Sequence, residues 1–217
     1  MRSGLACAVA LWVLSAAPAG AQLRDVGLVS LASGEVRFAP VNGASAPAKS
    51  FMRVREGDRF TLAAGAQLRV VYFEGARQER WTGPSSFRAA RAHGEAITGA
   101  VATVAQLPAG APQSIARIPE LVQKAKLAAD LPRGAGRGAG SEDRPGAMLA
   151  EARATYQQMK QALPPDDIAP ELYYTAALEE YGKYDEMRVV IEEMQRKQPA
   201  NDDVKALAEW VVKKTGG

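Results

Sequence analysis

One histidine, one cysteine and a scatter of carboxylates set the limits on what this 217-residue chain can catalyse. A Ser-His-Asp triad would have to use His93, and no Gly-x-Ser-x-Gly elbow is present to offer the nucleophile. His93-Gly94-Glu95 matches half of a zinc deaminase signature, but the Pro-Cys-x-x-Cys half is missing. His93-Gly94 reads instead as a turn, because glycine takes up backbone angles that other residues avoid. Cys7, the single cysteine, lies in the leading apolar run, so no disulfide, thiolate nucleophile or cysteine zinc site is expected beyond it. Two aspartate pairs, Asp166-Asp167 and Asp202-Asp203, have the side chains for metal or acid/base work. Both pairs precede helical patterns, where aspartate accepts from free amides and favours the positive end of the dipole, so capping is the preferred reading. Glu35, Asp58 and Glu74 are the remaining candidates for a carboxylate pair of glycosidase type, and Trp81 for a ring on which sugar stacks. Each of them also has a turn, surface or core reading. No metal and no cofactor is expected.

Binding has a better candidate. Tyr173, Tyr174, Tyr181 and Tyr184 cluster within twelve residues, and tyrosine brings a large contact area at small entropic cost. The competing reading packs the same rings between helices.

The chain opens with Arg2, an apolar run from Leu5 to Ala17 and an Ala19-Gly20-Ala21 motif, the layout of an export signal with cleavage between Ala21 and Gln22. Leu5-Ala6-Cys7 stands too early in that run for a lipid attachment site. The run falls short of the roughly 20 apolar residues a membrane span needs, and no later stretch replaces it, so a periplasmic or secreted protein without a transmembrane segment is expected. Charge divides the remainder. Residues 22–140 hold 16 Lys and Arg against 9 Asp and Glu, a net +7, while residues 141–217 hold 10 against 15, a net −5. A basic front can mark a nucleic-acid or anionic-membrane footprint. Export argues against nucleic acid, and the arginines are scattered as on a solvated surface.

From Val26 to about Leu107, short runs of Val, Phe, Leu and Tyr alternate with polar residues, punctuated by Gly and Pro, which is a strand pattern. In QLRVVYF, Leu68, Val70 and Tyr72 share one face and Arg69, Val71 and Phe73 the other, as in a central strand. Asn42-Gly43, Glu74-Gly75 and His93-Gly94 are the reversals. About eight strands in an antiparallel sandwich or roll are predicted. A short amphipathic helix is expected from Ile118 to Ala129, with Pro119 in its first turn. Residues 132–146 carry five glycines and nothing to bury, and read as a flexible linker between modules that engage separate partners. Beyond it Ala152, Tyr156, Met159 and Pro164 are matched by Met187, Ile191, Met194 and Pro199, 35 residues on. That period signifies a helical repeat. With so few repeats, Leu172, Ala176 and Trp210 are expected to need cover from the β module, a partner or a second copy.

The segments GLVSLASGEVRF, VREGDRF, AGAQLRVVYFEGARQERW and TGPSSFRAA, within residues 24–107, resemble in order the FecR-like domain of bacterial envelope proteins. The markers are turn residues: Gly57-Asp58 before a strand, a glycine turn between two strands, a closing Gly-Pro-x-Ser. The C-terminal pattern resembles a tetratricopeptide repeat, with one nearly complete unit over residues 169–200, half a unit before it and a capping helix after it. Thr175 departs from the small residue usual at its place. Together these resemblances imply a multidomain β plus α chain: a signal peptide at 1–21, a FecR-like β domain at 22–107, a connecting segment at 108–131, the linker, and a repeat-like helical module at 147–217. The best-known FecR-like proteins control sigma factors through a cytoplasmic segment and a membrane span, and neither is seen in this sequence. What the resemblance implies is a non-enzymatic envelope adaptor or sensing component that binds another envelope protein or peptide, with a homodimer as a further option. Partner peptides of the repeat family lie along first-helix faces, which points to Tyr173, Ala177 and Glu180, with Tyr174 and Trp81 as further contact residues. The alternative is a glycan-binding protein or carboxylate hydrolase acting through the β domain.

Overall fold

The computed structural model describes residues 24–129 and 145–216. The export signal and nearly all of the linker lie outside them.

Ten strands form two antiparallel five-stranded sheets. They are β1 (Asp25–Ser33), β2 (Val36–Ala39), β3 (Ala46–Pro47), β4 (Arg53–Arg55), β5 (Arg59–Leu62), β6 (Gln67–Tyr72), β7 (Arg77–Thr82), β8 (Ser85–Ala89), β9 (Gly94–Gly99) and β10 (Thr103–Gln106). The first sheet runs β10-β7-β6-β1-β4 and the second β3-β2-β5-β8-β9. The reversals fall where the glycine dipeptides predict them, at residues 42–43, 74–75 and 93–94. At Gly57 the backbone φ is +91°, a value L side chains avoid, and Asp58 closes the turn by accepting from the Arg55 amide at 2.9 Å.

Alternation along β6 sets the layering. Leu68, Val70 and Tyr72 point between the sheets, where they meet Val29, Phe60, Trp81 and Phe87. Val71 points the other way, with Leu28 and Phe51, into a second core built with helices. The first sheet is therefore covered on both sides, which is why every residue of β6 after Gln67 is buried. The result is three layers: sheet, sheet, helices.

Six helices make the third layer: α1 (Ala111–Ile115), α2 (Ile118–Ala129), α3 (Pro145–Ala162), α4 (Ala169–Glu180), α5 (Tyr184–Lys197) and α6 (Asp202–Thr215). The repeated stripe is buried as the periodicity requires, with Ala152, Tyr156 and Met159 on α3 and Met187, Ile191 and Met194 on α5. Acidic residues open α5 and basic ones close it, in the sense the helix dipole favours. Neither expected aspartate cap is an N-cap residue. Asp167 lies one position ahead of the α4 N-cap, Ile168, and accepts from the Ala169 amide at 2.9 Å. At α6 the cap is Asn201, whose side chain accepts from Asp203 and Val204 amides, while Asp202 and Asp203 pair with Lys205 and Lys126. No helix among the described residues is long and apolar enough to cross a membrane.

The helical module is docked on the β module. Arg69, on the outer face of β6 and 2 % exposed, meets Asp166 at 2.5 Å and the equally buried Asp167 at 3.5 Å, both from the α3–α4 turn. Gln78 donates to Asp167 and to Ser30, and Gln198 at the end of α5 donates to the Ser30 carbonyl at 2.9 Å. The segment read as a connector is part of the same layer. Helix α2 lies across α6 and reaches α4, and α1 packs on α4. Leu172, Ala176 and Trp210 are thus covered within the chain itself.

Candidate partner-binding surface

Tyr173, Ala177 and Glu180 recur at four and three residues along α4, so they share one helix face. Tyr173 is half-buried against the helical core, and burial pushes its phenol pKa up. Ala177 is buried, and Glu180 is exposed and accepts from Arg117 at 2.6 Å. The neighbouring line of α4, Leu172, Ala176 and Glu179, faces the α1–α2 segment: Glu179 takes Lys124 at 2.6 Å, and a cleft of about 240 Å³ remains between Leu121, Lys124, Ala176 and Glu179. Lys124 also stands 5.5 Å from the centre of the Trp210 ring of α6, within cation–π range. Lys126 reaches Asp203 at 2.5 Å. The apolar side of α2, Leu121, Val122 and Ala125, fills the core below. The surface formed by α4 and α6 thus holds an amphipathic helix by burying its apolar stripe and pairing its cations with acidic residues at the rim.

The other two sequence candidates lie inside the molecule. Tyr174 stacks on Tyr156 at 4.7 Å between α3 and α4, and its hydroxyl donates to Glu186 at 2.6 Å. Trp81 is 1 % exposed, lies flat on Phe87 with ring centres 4.1 Å apart, and donates its indole N–H to Glu79 at 3.1 Å. A ring so covered presents no face to a sugar or a peptide. Both residues are core in place of the contact role expected of them.

No match to this chain is found among protein-family models, curated proteins or solved structures. The site is therefore read from its own geometry.

The β-domain carboxylates are dispersed over three turns. Glu35 is exposed between β1 and β2. Asp58 is buried between β4 and β5, where burial raises its pKa against the lowering effect of the Arg55 amide. Glu74, between β6 and β7, is held by Arg91 at 2.6 Å and Arg24 at 2.8 Å beside a cleft of about 400 Å³ that Asp25, Phe73 and Gln113 also line. Arg91 and Arg24 keep its carboxyl below the usual range, which suits an ion-paired anion and not a proton donor. Among the described residues no three His, Cys, Asp or Glu side chains converge as metal ligands would.

Sequence reasoning missed two buried polar groupings. Glu79, on the same face of β7 as Trp81, accepts from the Trp81 indole and the Gly94 amide and pairs with Arg77 at 2.6 Å. A Cβ on Gly94 would stand 2.6 Å from the Trp81 ring and 2.8 Å from the Glu79 carboxylate, so glycine is required there by space. The second grouping is the Arg69, Gln78, Asp166 and Asp167 lock between the layers. Its signal was an arginine in the middle of an apolar strand, QLRVVYF, paired with an Asp-Asp turn in the acidic half.

Proposed function

We propose that this chain is an exported, periplasmic, non-enzymatic interaction or sensing component of the bacterial cell envelope, in which a FecR-like β module carries a tetratricopeptide-like helical layer that binds another envelope protein or peptide. The observation that carries this reading is the face of α4 with Tyr173, half-buried, and Glu180, exposed, beside the groove of α4 and α6 that the chain's own α2 fills. These two side chains are the part of the helical layer offered to a partner. The close docking of the layers supports one rigid scaffold in place of two tethered binders.

The test is a pull-down from envelope extract with the chain from Gln22 onward as bait, beside its Tyr173→Ala and Glu180→Ala variants. The expected result is a protein retained by the parent and severalfold less by Tyr173→Ala, with circular dichroism unchanged. Retention of glycan alone, equal in all three baits, would transfer the function to the β module.

A further inference from the structure

On the first sheet Arg69 of β6 stands directly opposite Arg80 of β7, and on the second Arg59 of β5 stands directly opposite Arg88 of β8. Like charges placed across a strand pair destabilise a sheet unless an opposite charge offsets them. For Arg69 and Arg80 the helical layer supplies it. Asp166 meets Arg69 at 2.5 Å, and the charge of Arg80 helps to hold the Asp166 carboxyl below the usual range.

The outer face of the second sheet is open to solvent. Arg37, Arg59, Thr61 and Arg88 are exposed there, while Phe38, Phe60 and Phe87, which alternate with them, pack toward the core between the sheets. Arg88 holds Glu95 of β9 at 2.5 Å. Arg37 donates to the hydroxyl and the carbonyl of Ser45, both uncharged. The Arg59 guanidinium has no ion pair or hydrogen bond among the described residues. Arg37 is opposite Thr61 and therefore diagonal to Arg59, within reach of a long side chain. Arg37, Arg59 and Arg88 thus make a line of cations across β2, β5 and β8, three guanidiniums to one carboxylate, with Thr61 and Ser86 opposite each other beside it.

We propose that this line binds an acidic polysaccharide, a linear polymer of uronic-acid type whose carboxylates pair with Arg37, Arg59 and Arg88 and whose hydroxyls bond Thr61 and Ser86. The pairing repeats what Asp166 does for Arg69 and Arg80 inside the molecule. Guanidinium and carboxylate are matched in shape as well as charge, through parallel N–H donors on two acceptor oxygens. The outward positions of β2, β5 and β8 hold no exposed large apolar or aromatic side chain. A protein partner relies on such anchors at the centre of its interface, an amphipathic contact with a lipid surface buries an apolar face, and single-stranded nucleic acid stacks its bases on aromatic rings. A hydrated polyanion needs only the charges and hydroxyls that are present. The inference stands on the outer sheet alone and does not rest on the helical layer.

The test is surface plasmon resonance of the purified chain from Gln22 onward on immobilised polygalacturonate, with neutral dextran and vesicles of equal parts phosphatidylglycerol and phosphatidylcholine as comparison surfaces. Arg37→Glu and Arg59→Glu are measured beside the parent, and Arg188→Glu on α5 is the control that changes the net charge equally. All three positions are exposed, and equal thermal midpoints check that the fold is kept. The expected result is a parent that binds polygalacturonate and not dextran, less tightly as salt screens the charges. Arg37→Glu and Arg59→Glu lose binding severalfold, and Arg188→Glu keeps it. A parent that binds polygalacturonate no better than dextran would overturn the proposal. So would binding that survives Arg59→Glu, a loss in Arg188→Glu as large as in Arg59→Glu, or preferential capture by the vesicles.

Discussion

Arg69 lies within β6, where every residue after Gln67 is buried, and its partners account for it. The guanidinium is nearly removed from solvent and meets two aspartates of the α3–α4 turn, so deleting it leaves Asp167 buried without a counter-charge. Breaking a buried pair from one side typically destabilises by about 3–5 kcal/mol, and Arg69→Ala is expected to lower urea stability on that scale. The carboxylates of the interface also give stability a defined pH dependence. At Asp166 burial raises the pKa, but the hydrogen bond and charge of Arg69 outweigh it and hold the group below the usual range. Its stabilising effect is present above the unfolded value, about 3.9 for aspartate, and is lost as pH falls through the lower folded value. Glu171 behaves in the opposite sense: burial raises its pKa in spite of Lys197 at 2.9 Å. Its contribution is complete below the unfolded value, about 4.3, and is lost as pH rises through the folded one. Asp166→Asn should therefore flatten the acid limb of a urea-midpoint profile. The face alternation of β6 was legible in QLRVVYF, because period-two patterning is local. The partner of Arg69 was not, because it lies 97 residues away.

Helix α2 shows the same limit for an element. Its span and apolar stripe follow from IPELVQKAKLAA, but the stripe has no label for what it covers, and a helix placed before a glycine-rich stretch reads as a connector. Its place on α6 and α4 depends on Lys124, Lys126 and Arg117 meeting Glu179, Asp203 and Glu180 at the rim. Those pairs are largely exposed, and such pairs contribute about 0.2–1 kcal/mol each. Lys124→Glu sets a carboxylate against Glu179 and removes one of the two lysines over Trp210, so amide exchange across residues 118–129 should accelerate severalfold while β6 and β7 keep their protection. Unchanged exchange would mean that the apolar floor alone holds the helix. In α3 and α5, by contrast, the buried stripes were legible because a repeat states its own period twice.

Across the whole molecule, the charge division of the sequence becomes an interface. In the Arg69, Arg117, Lys124 and Lys126 pairs that join the halves, the cation comes from the basic front and the anion from the acidic back. Composition exposed the asymmetry but not its use, since complementary halves and a basic surface awaiting an external anion have the same net charge. The account's central claim is that the helical layer of this docked body receives a protein partner. Site-specific photo-crosslinking in the exporting cell tests it most directly, with the reactive group placed at Glu180 on α4 and, in a second strain, at Arg59 on the outer sheet. The account predicts a protein adduct from Glu180 and none from Arg59, whereas adducts from Arg59 alone would contradict it.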